Sequence, residues 1–439
     1  MIINGRIVRR LASPALAGVS LLSGLFVADW VVKRWDLNFA PMRSRANDDR
    51  VLTRPEFSVR VATNALGFRE PRLPAPKPPD TVRIVVIGDS FTQGYGVEEA
   101  DSYPRQLEVL LGARDHSRRY EVINLGVPGT SPPDYLYNLR EFGMAYHPDV
   151  VVVGLMANDV GDIDVRHLGH ASALEVLQDL QKARADHRAA WKRLPSLVWP
   201  GLYNFVGDRA RPFKAELTGP DSAIASAAAD ADRPATLRPT VPRELWRGDL
   251  LTVASRFDRR AQVEAALAGQ GDELIGRLAP LLAGGWSFVR PDWRPYFTFM
   301  GLVQPDIYAD GVLLPPRYDA AWNMMIADLR QIDVVARRAG ARTVIVFIPA
   351  AFQVTPAAWR FLEKYGIRGD ERTLTDTAFA DRLKEFGAAA DIPVVDLLPT
   401  LRSQANRRLY FVRDGHWTPE GHALAAASLA GALRAVLLQ

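Results

Sequence analysis

The 439-residue chain contains no cysteine. Disulfides, a thiolate nucleophile, zinc–thiolate sites, iron–sulfur clusters and a lipidated N-terminal cysteine are all excluded. An excess of one charge is also missing. Fifty-four basic residues stand against 50 acidic ones, a net +4 that is mixed along the chain, so nothing points to nucleic acid. There is no internal repeat, and only one long apolar run, so a polytopic membrane protein is excluded. What remains is ordinary globular composition, 48% apolar and 24% charged. The length suits one large domain with an insertion, or two to three smaller ones.

The single apolar run covers residues 11–28. It is preceded by Arg6, Arg9 and Arg10 and followed by Lys33 and Arg34. Its length is at the lower edge for a membrane-spanning helix, which needs about 20 residues. The preceding arginines favour a cytoplasmic N-terminus. Its exit, Phe26-Val27-Ala28-Asp29, lacks a small-x-small cleavage site. The expectation is an uncleaved signal anchor over 1–35, a single-pass protein of the inner membrane, with everything beyond it periplasmic. A cleaved signal peptide and a buried N-terminal helix are the rival readings.

Residues 36–80 read as an extended leader ending in a stiff linker, with five prolines at positions 71, 74, 76, 78 and 79. A βα rhythm then begins. Continuous β-branched or apolar runs at 84–87, 120–124, 150–154, 343–348 and 394–396 predict buried parallel strands. Helical patterns fall at 103–112, 134–146, 318–339, 379–390 and 418–438. The rhythm stops between 163 and 317, which predicts a large, mainly helical insertion. That segment holds Trp191, Trp199, Trp246, Trp286 and Trp293, half of the ten tryptophans, and a biased Ala/Asp/Ser stretch at 221–234. The core is therefore expected at 81–162 and 318–439, an open parallel sheet with helices on both faces.

In such sheets sites form beyond the C-terminal ends of the strands. After the first core strand stands Gly88-Asp89-Ser90, where Ser90 is either a nucleophile or a helix cap. After the second stands Asn124-Leu125-Gly126-Val127-Pro128-Gly129, where a glycine allows close approach of a backbone N–H. After the third stands Asn158-Asp159, an amide donor or an Asx turn. Before the last helix stands Asp414-Gly415-His416-Trp417-Thr418-Pro419, with Thr418 and Pro419 as helix start. His416 with a nearby aspartate supplies a general base and its orienting carboxylate. His422, about one turn into that helix, reads as structural. Jointly the segments provide nucleophile, oxyanion donors, base and orienter.

At these residues the chain resembles the SGNH hydrolases, also called GDSL esterases. The resemblance implies a flavodoxin-like three-layer α/β/α fold. It implies Ser90 as nucleophile, His416 as base, and Asp414 as orienter with Asp396 as fallback. It places the oxyanion donors at Ser90, Gly129 (alternatively Gly126) and Asn158. No metal or cofactor is implied. Two departures stand out. Asp414 and His416 are spaced by two where the family has three, and the glycine two positions ahead of Asn158 is replaced by Met156. Asp-x-His-Trp is similar to the pattern in SGNH proteins that acetylate exopolysaccharides. Asn64-Ala65-Leu66-Gly67-Phe68-Arg69 resembles a leader of membrane-anchored bacterial relatives. The implied function is hydrolysis of O-acetyl esters on a cell-envelope or exopolysaccharide glycan. O-acetyl transfer to an exopolysaccharide and non-catalytic glycan binding are the alternatives. The aromatic cluster Trp293-Arg294-Pro295-Tyr296-Phe297 is suited to stacking on sugar rings or to forming the core of a lid.

Overall fold

The structure, a computed structural model, describes residues 23–28, 42–168, 172–185, 243–282 and 293–437. Residues 23–28 are helical, while the rest of the apolar run at 11–28 lies outside the described residues. Among the described residues no helix is long and apolar enough to cross a membrane. The biased stretch at 221–234 and residues Trp191, Trp199 and Trp286 also lie outside them.

The described residues within 42–179 and 243–437 form the body that carries the core. Five strands, β3 (Thr81–Ile87), β4 (Arg119–Asn124), β5 (Val150–Met156), β6 (Arg342–Ile348) and β7 (Val394–Asp396), make one parallel sheet in the order β4-β3-β5-β6-β7. This is the flavodoxin-like order, and it reverses direction at β3. Every residue of β3 is buried, as are six of seven in β5 and in β6. Their unbroken apolar runs follow from helices covering both faces of the sheet. Helix Tyr103–Arg114 packs on Pro419–Leu437, and helix Pro132–Glu141 packs on Asp319–Arg338. With right-handed crossovers, the reversal after β4 sends these pairs to opposite faces.

One expected helix is shorter than its pattern. The stretch 134–146 breaks at Phe142, and Gly143–Tyr146 continues as a 3-10 turn that ends at His147 with φ of 51°. The described part of the insertion is helical, with Arg243–Arg256, a kinked Arg260–Leu282, Trp293–Val303 and Ile307–Leu313.

The leader is more ordered than its composition suggests. Strands β1 (Asp49–Arg54) and β2 (Phe57–Ala62) form an antiparallel hairpin closed by Pro55 and Glu56. Beyond it, Asn64 Oδ1 accepts from the N–H groups of Leu66 (2.9 Å) and Phe68 (3.1 Å). Gly67 has φ of 85°, and a side chain there would run into the carbonyl oxygen of Ser44. The proline linker is pinned to the sheet. Lys77 pairs with Asp149 at 2.6 Å, and Ala75 accepts from the buried Arg83 at 3.0 Å.

Candidate active site

Ser90 opens the short helix Ser90–Gln93 directly after β3. Asp89, and not Ser90, caps this helix by accepting from the Phe91 N–H at 2.9 Å. The serine hydroxyl is thereby left for other work. Gly88 has no room for a side chain, since a Cβ would meet Thr92 Oγ1 at 2.2 Å and Gly154 O at 2.9 Å. That tight crossing of β3, β5 and the helix fixes where Ser90 emerges.

The loop before the last helix brings the other two groups. Tyr410 bridges to Trp417, and the Phe411 N–H donates to His416 O at 2.9 Å. Trp417 is fully buried against Phe91, Tyr103 and His422. His416 Nε2 lies 2.8 Å from Ser90 Oγ, and its Nδ1 lies 2.5 Å from Asp414 Oδ1. The spacing of two between Asp414 and His416 is thus sufficient for contact, because Gly415, with φ of 85°, turns the backbone between them. The imidazole is held between two rings, Phe91 at 4.8 Å and Tyr95 at 4.6 Å. Burial, followed by the Asp414 carboxylate, raises the Tyr95 phenol above its ordinary range, so it stays neutral.

The other sequence-predicted residues divide. Asn158 starts helix Asn158–Arg166 after β5 and lines the same cavity as Ser90 and His416. One N–H of its amide donates to Asp162 Oδ2 at 3.1 Å, which leaves the second available. Burial, then Asp89, raises the Asp162 carboxyl to about 7. Asp89 itself is raised to about 6, chiefly by burial, with His416 opposing. Gly126 gives its N–H to Asn124 Oδ1 at 3.0 Å and packs so closely that a Cβ would meet the Gln93 nitrogen at 2.4 Å. Its lack of a side chain serves packing, and its donor is taken. Gly129 adopts a φ of 74° in a loop tied to Gly88 through Val127 N–H and Thr130 Oγ1, but it is not part of the cavity wall. Asp396 is elsewhere, accepting from the Leu398 N–H at 2.9 Å and pairing with Lys384 at 2.8 Å. His422 is buried, accepts from the Tyr103 N–H at 3.2 Å and is depressed to about 3 by burial, which fits a structural role. Among the described residues no cluster suited to a metal ion is found.

The cavity beside Ser90 measures about 1200 Å³. The insertion supplies much of its far wall, including Phe257, Tyr296, Met300 and Tyr308. Of the aromatic cluster noted in the sequence, Tyr296 and Phe297 reach this wall. Trp246 and the backbone of Trp293 belong to helices of the insertion.

A family model of GDSL-like lipases/acylhydrolases matches residues 86–274, and one of the SGNH hydrolase-like domain of acetyltransferase AlgX matches residues 307–439. The first holds Ser90 and Asn158, and the second holds Asp414 and His416. The chain belongs to the SGNH hydrolase family. An acetylxylan esterase of Xylanibacter ruminicola is 36% identical over 96 residues, which is 20% of this chain and 18% of that protein. The chain therefore matches under a fifth of that relative's length. Similar solved structures include the acetyl xylan esterase AlAXEase, with 10% identity, a TM-score of 0.36, and coverage of 80% of this chain and 100% of that one. A Geobacillus stearothermophilus acetylxylan esterase variant, Axe2 with its serine replaced, gives 12%, 0.33, 80% and 93%. Likenesses this slight carry no argument about the reaction. The place of Ser90 and His416 at the sheet's reversal point follows from topology, since ligands bind where strand order turns.

Proposed function

We propose that this SGNH hydrolase is a serine esterase that removes O-acetyl groups from a cell-envelope or exopolysaccharide glycan through an acyl-enzyme on Ser90. The observation that carries the proposal is the unbroken relay from Ser90 Oγ to His416 at 2.8 Å and on to Asp414 at 2.5 Å. Ser90 Oγ attacks the ester carbonyl while His416 Nε2 takes its proton. Asp414 holds the Nδ1–H tautomer and balances the imidazolium. The oxyanion is met by the Ser90 N–H and the free amide N–H of Asn158, with Gly129 as third donor once its loop turns towards substrate. His416 returns the proton to the leaving alcohol. Water, deprotonated by His416, then attacks the acyl-enzyme and releases the acid and Ser90.

The acetyl preference is supported by the local similarity to an acetylxylan esterase. The match to the AlgX acetyltransferase domain supports a second reading, in which a sugar hydroxyl takes the place of water. Placement of the catalytic body outside the cytoplasm, on a signal anchor over 11–28, is part of the same proposal and rests on the charge and apolar pattern there.

The test is acetate release from an aryl acetate and from acetylated xylan, comparing the wild type with Ser90→Ala. Release that disappears in Ser90→Ala supports the esterase. Acetyl movement only in the presence of a sugar acceptor favours transfer. A folded wild type that does neither refutes both readings.

A further inference from the structure

Only one oxygen of the Asp414 carboxylate is hydrogen-bonded. Asp414 Oδ1 meets His416, but Oδ2 is buried without a hydrogen-bond partner. The loop around it is secured instead through its backbone. The N–H groups of Val412 (3.0 Å), Arg413 (2.8 Å) and Asp414 (3.0 Å) all donate to the carboxylate of Glu56. Three successive amides turned towards one anion make a concave anion cradle, and here the anion is a side chain of the same protein. Hydrogen bonds to a charged acceptor are roughly twice as strong as neutral ones.

Glu56 occupies the tip of the β1–β2 hairpin, which also grips the loop that follows Ser90. Arg54 Nε donates to Tyr95 OH at 3.1 Å. Phe57 packs edge-on to Tyr95 at 5.6 Å and against Phe411 at 5.0 Å. The buried Arg69 donates to the carbonyls of Gly94 (2.7 Å), Val97 (2.8 Å) and Arg60 (2.6 Å). One hairpin therefore bridges the nucleophile loop and the loop of Asp414 and His416.

We propose that Glu56 is a positioning residue for the reaction. It sets the Asp414–His416 pair against Ser90 through the backbone of residues 412–414, and it is not part of the cavity wall that substrate would meet. This inference rests on the serine hydrolase reading, and its test separates the two.

Full-length wild type, Glu56→Gln and Asp49→Ala are compared. Asp49 pairs with Arg60 on the exposed side of the hairpin at 2.5 Å and touches neither loop. A glutamine keeps one acceptor oxygen and turns an NH₂ towards the remaining donors. For aryl acetate hydrolysis, kcat of Glu56→Gln is expected to fall roughly 30- to 100-fold with KM within about twofold, while Asp49→Ala behaves as wild type. Independently, the low-field proton resonance of His416 Nδ1–H, assigned by its loss in His416→Gln, is expected to shift and broaden in Glu56→Gln. Wild-type kcat with an unmoved resonance overturns the proposal. So does an equal loss of kcat in Asp49→Ala, which would mark general damage to the hairpin. If the wild type hydrolyses no ester, the functional reading fails, and the resonance alone decides the role of Glu56. Should Glu56→Gln not fold, Glu56→Asp keeps the charge with a shorter reach and supplies the same two readouts.

Discussion

Replacing Asp414 by asparagine alters one charge and almost no volume. In the wild type the carboxylate accepts the Nδ1 proton of His416 at 2.5 Å, and its side chain is only 4% exposed. An asparagine amide at this distance favours the opposite tautomer, with the proton on Nε2, where it blocks transfer from Ser90. The same change removes the counter-charge that the imidazolium needs once it has taken that proton. Two unit charges about 3 Å apart attract by roughly 5–6 kcal/mol at an effective dielectric of about 20. A loss of about 5.5 kcal/mol from the transition state corresponds to a fall of roughly ten-thousandfold in kcat, the size found when a triad aspartate is replaced by asparagine. The assay is initial-rate hydrolysis of an aryl acetate, with circular dichroism to confirm the fold. Asp396→Asn is the internal comparison, since its contacts are to Leu398 and Lys384 and it should leave the rate near that of the wild type. A rate for Asp414→Asn within about tenfold of the wild type would refute the assignment, as would an equal loss in Asp396→Asn.

Asn158→Ala should lower kcat by roughly 100- to 1000-fold, about 3 kcal/mol, with little effect on melting temperature; a loss below about fivefold would remove Asn158 from the oxyanion site. Asp162 gives a pH signature. Its folded value, raised to about 7 from an ordinary 3.8, means that the native state holds the proton more tightly than the unfolded chain. The resulting destabilisation is absent below about pH 4, grows as the pH rises and is complete above about 7. Asp162→Asn should therefore flatten part of the decline in melting temperature across that window, with Asp89 and Asp159, both also raised by burial, retaining the rest; an unchanged slope would contradict the raised value of Asp162. At the far end of β3, Arg83 and Glu121 form a 2.7 Å pair with side chains 4% and 7% exposed. Arg83→Met should cost about 3 kcal/mol in urea unfolding, the lower end for a broken buried pair because Arg119 remains near Glu121, and a loss under about 1 kcal/mol would refute it.

The central strands β3, β5 and β6 are legible because both their faces are covered and their residues are almost all apolar, whereas the edge strands β4, with Arg119 and Glu121, and β7, half-buried throughout, carry less of that signal. Ser90, Asp414 and His416 were legible because chemistry restricts their identity and topology restricts their place. The ambiguity of Ser90 between cap and nucleophile resolved through its neighbour, since Asp89 took the capping role. The glycines at 126 and 129 were not separable in sequence. What distinguishes them is the Gln93 nitrogen lying against one and a left-handed φ at the other, and neither leaves a local trace. Glu56 was invisible for a different reason. Its partners are backbone amides more than 350 positions away, and an amide has no side-chain identity to read. The Asn64–Arg69 segment is legible by resemblance, but the task of Arg69 lies in its bonds to Gly94 and Val97, which the sequence does not show. The break at Phe142 leaves no trace in the sequence, because the apolar spacing continues from the helix into the 3-10 turn.

Strands β5 and β6 are hydrogen-bonded neighbours from Val150–Arg342 to Met156–Ile348, yet residues 157–341 depart and return between them. An excursion whose two ends are already fixed side by side has a closure entropy that grows only with the logarithm of its length, about 0.6 kcal/mol for each doubling. Changing the length of the stretch between helix Asn158–Arg166 and helix Asp319–Arg338 thus adds a closure cost to the sheet smaller than one typical hydrogen bond. The far wall of the cavity can then be remodelled in one contiguous segment while Ser90, Asp414 and His416, all anchored outside it, keep their geometry.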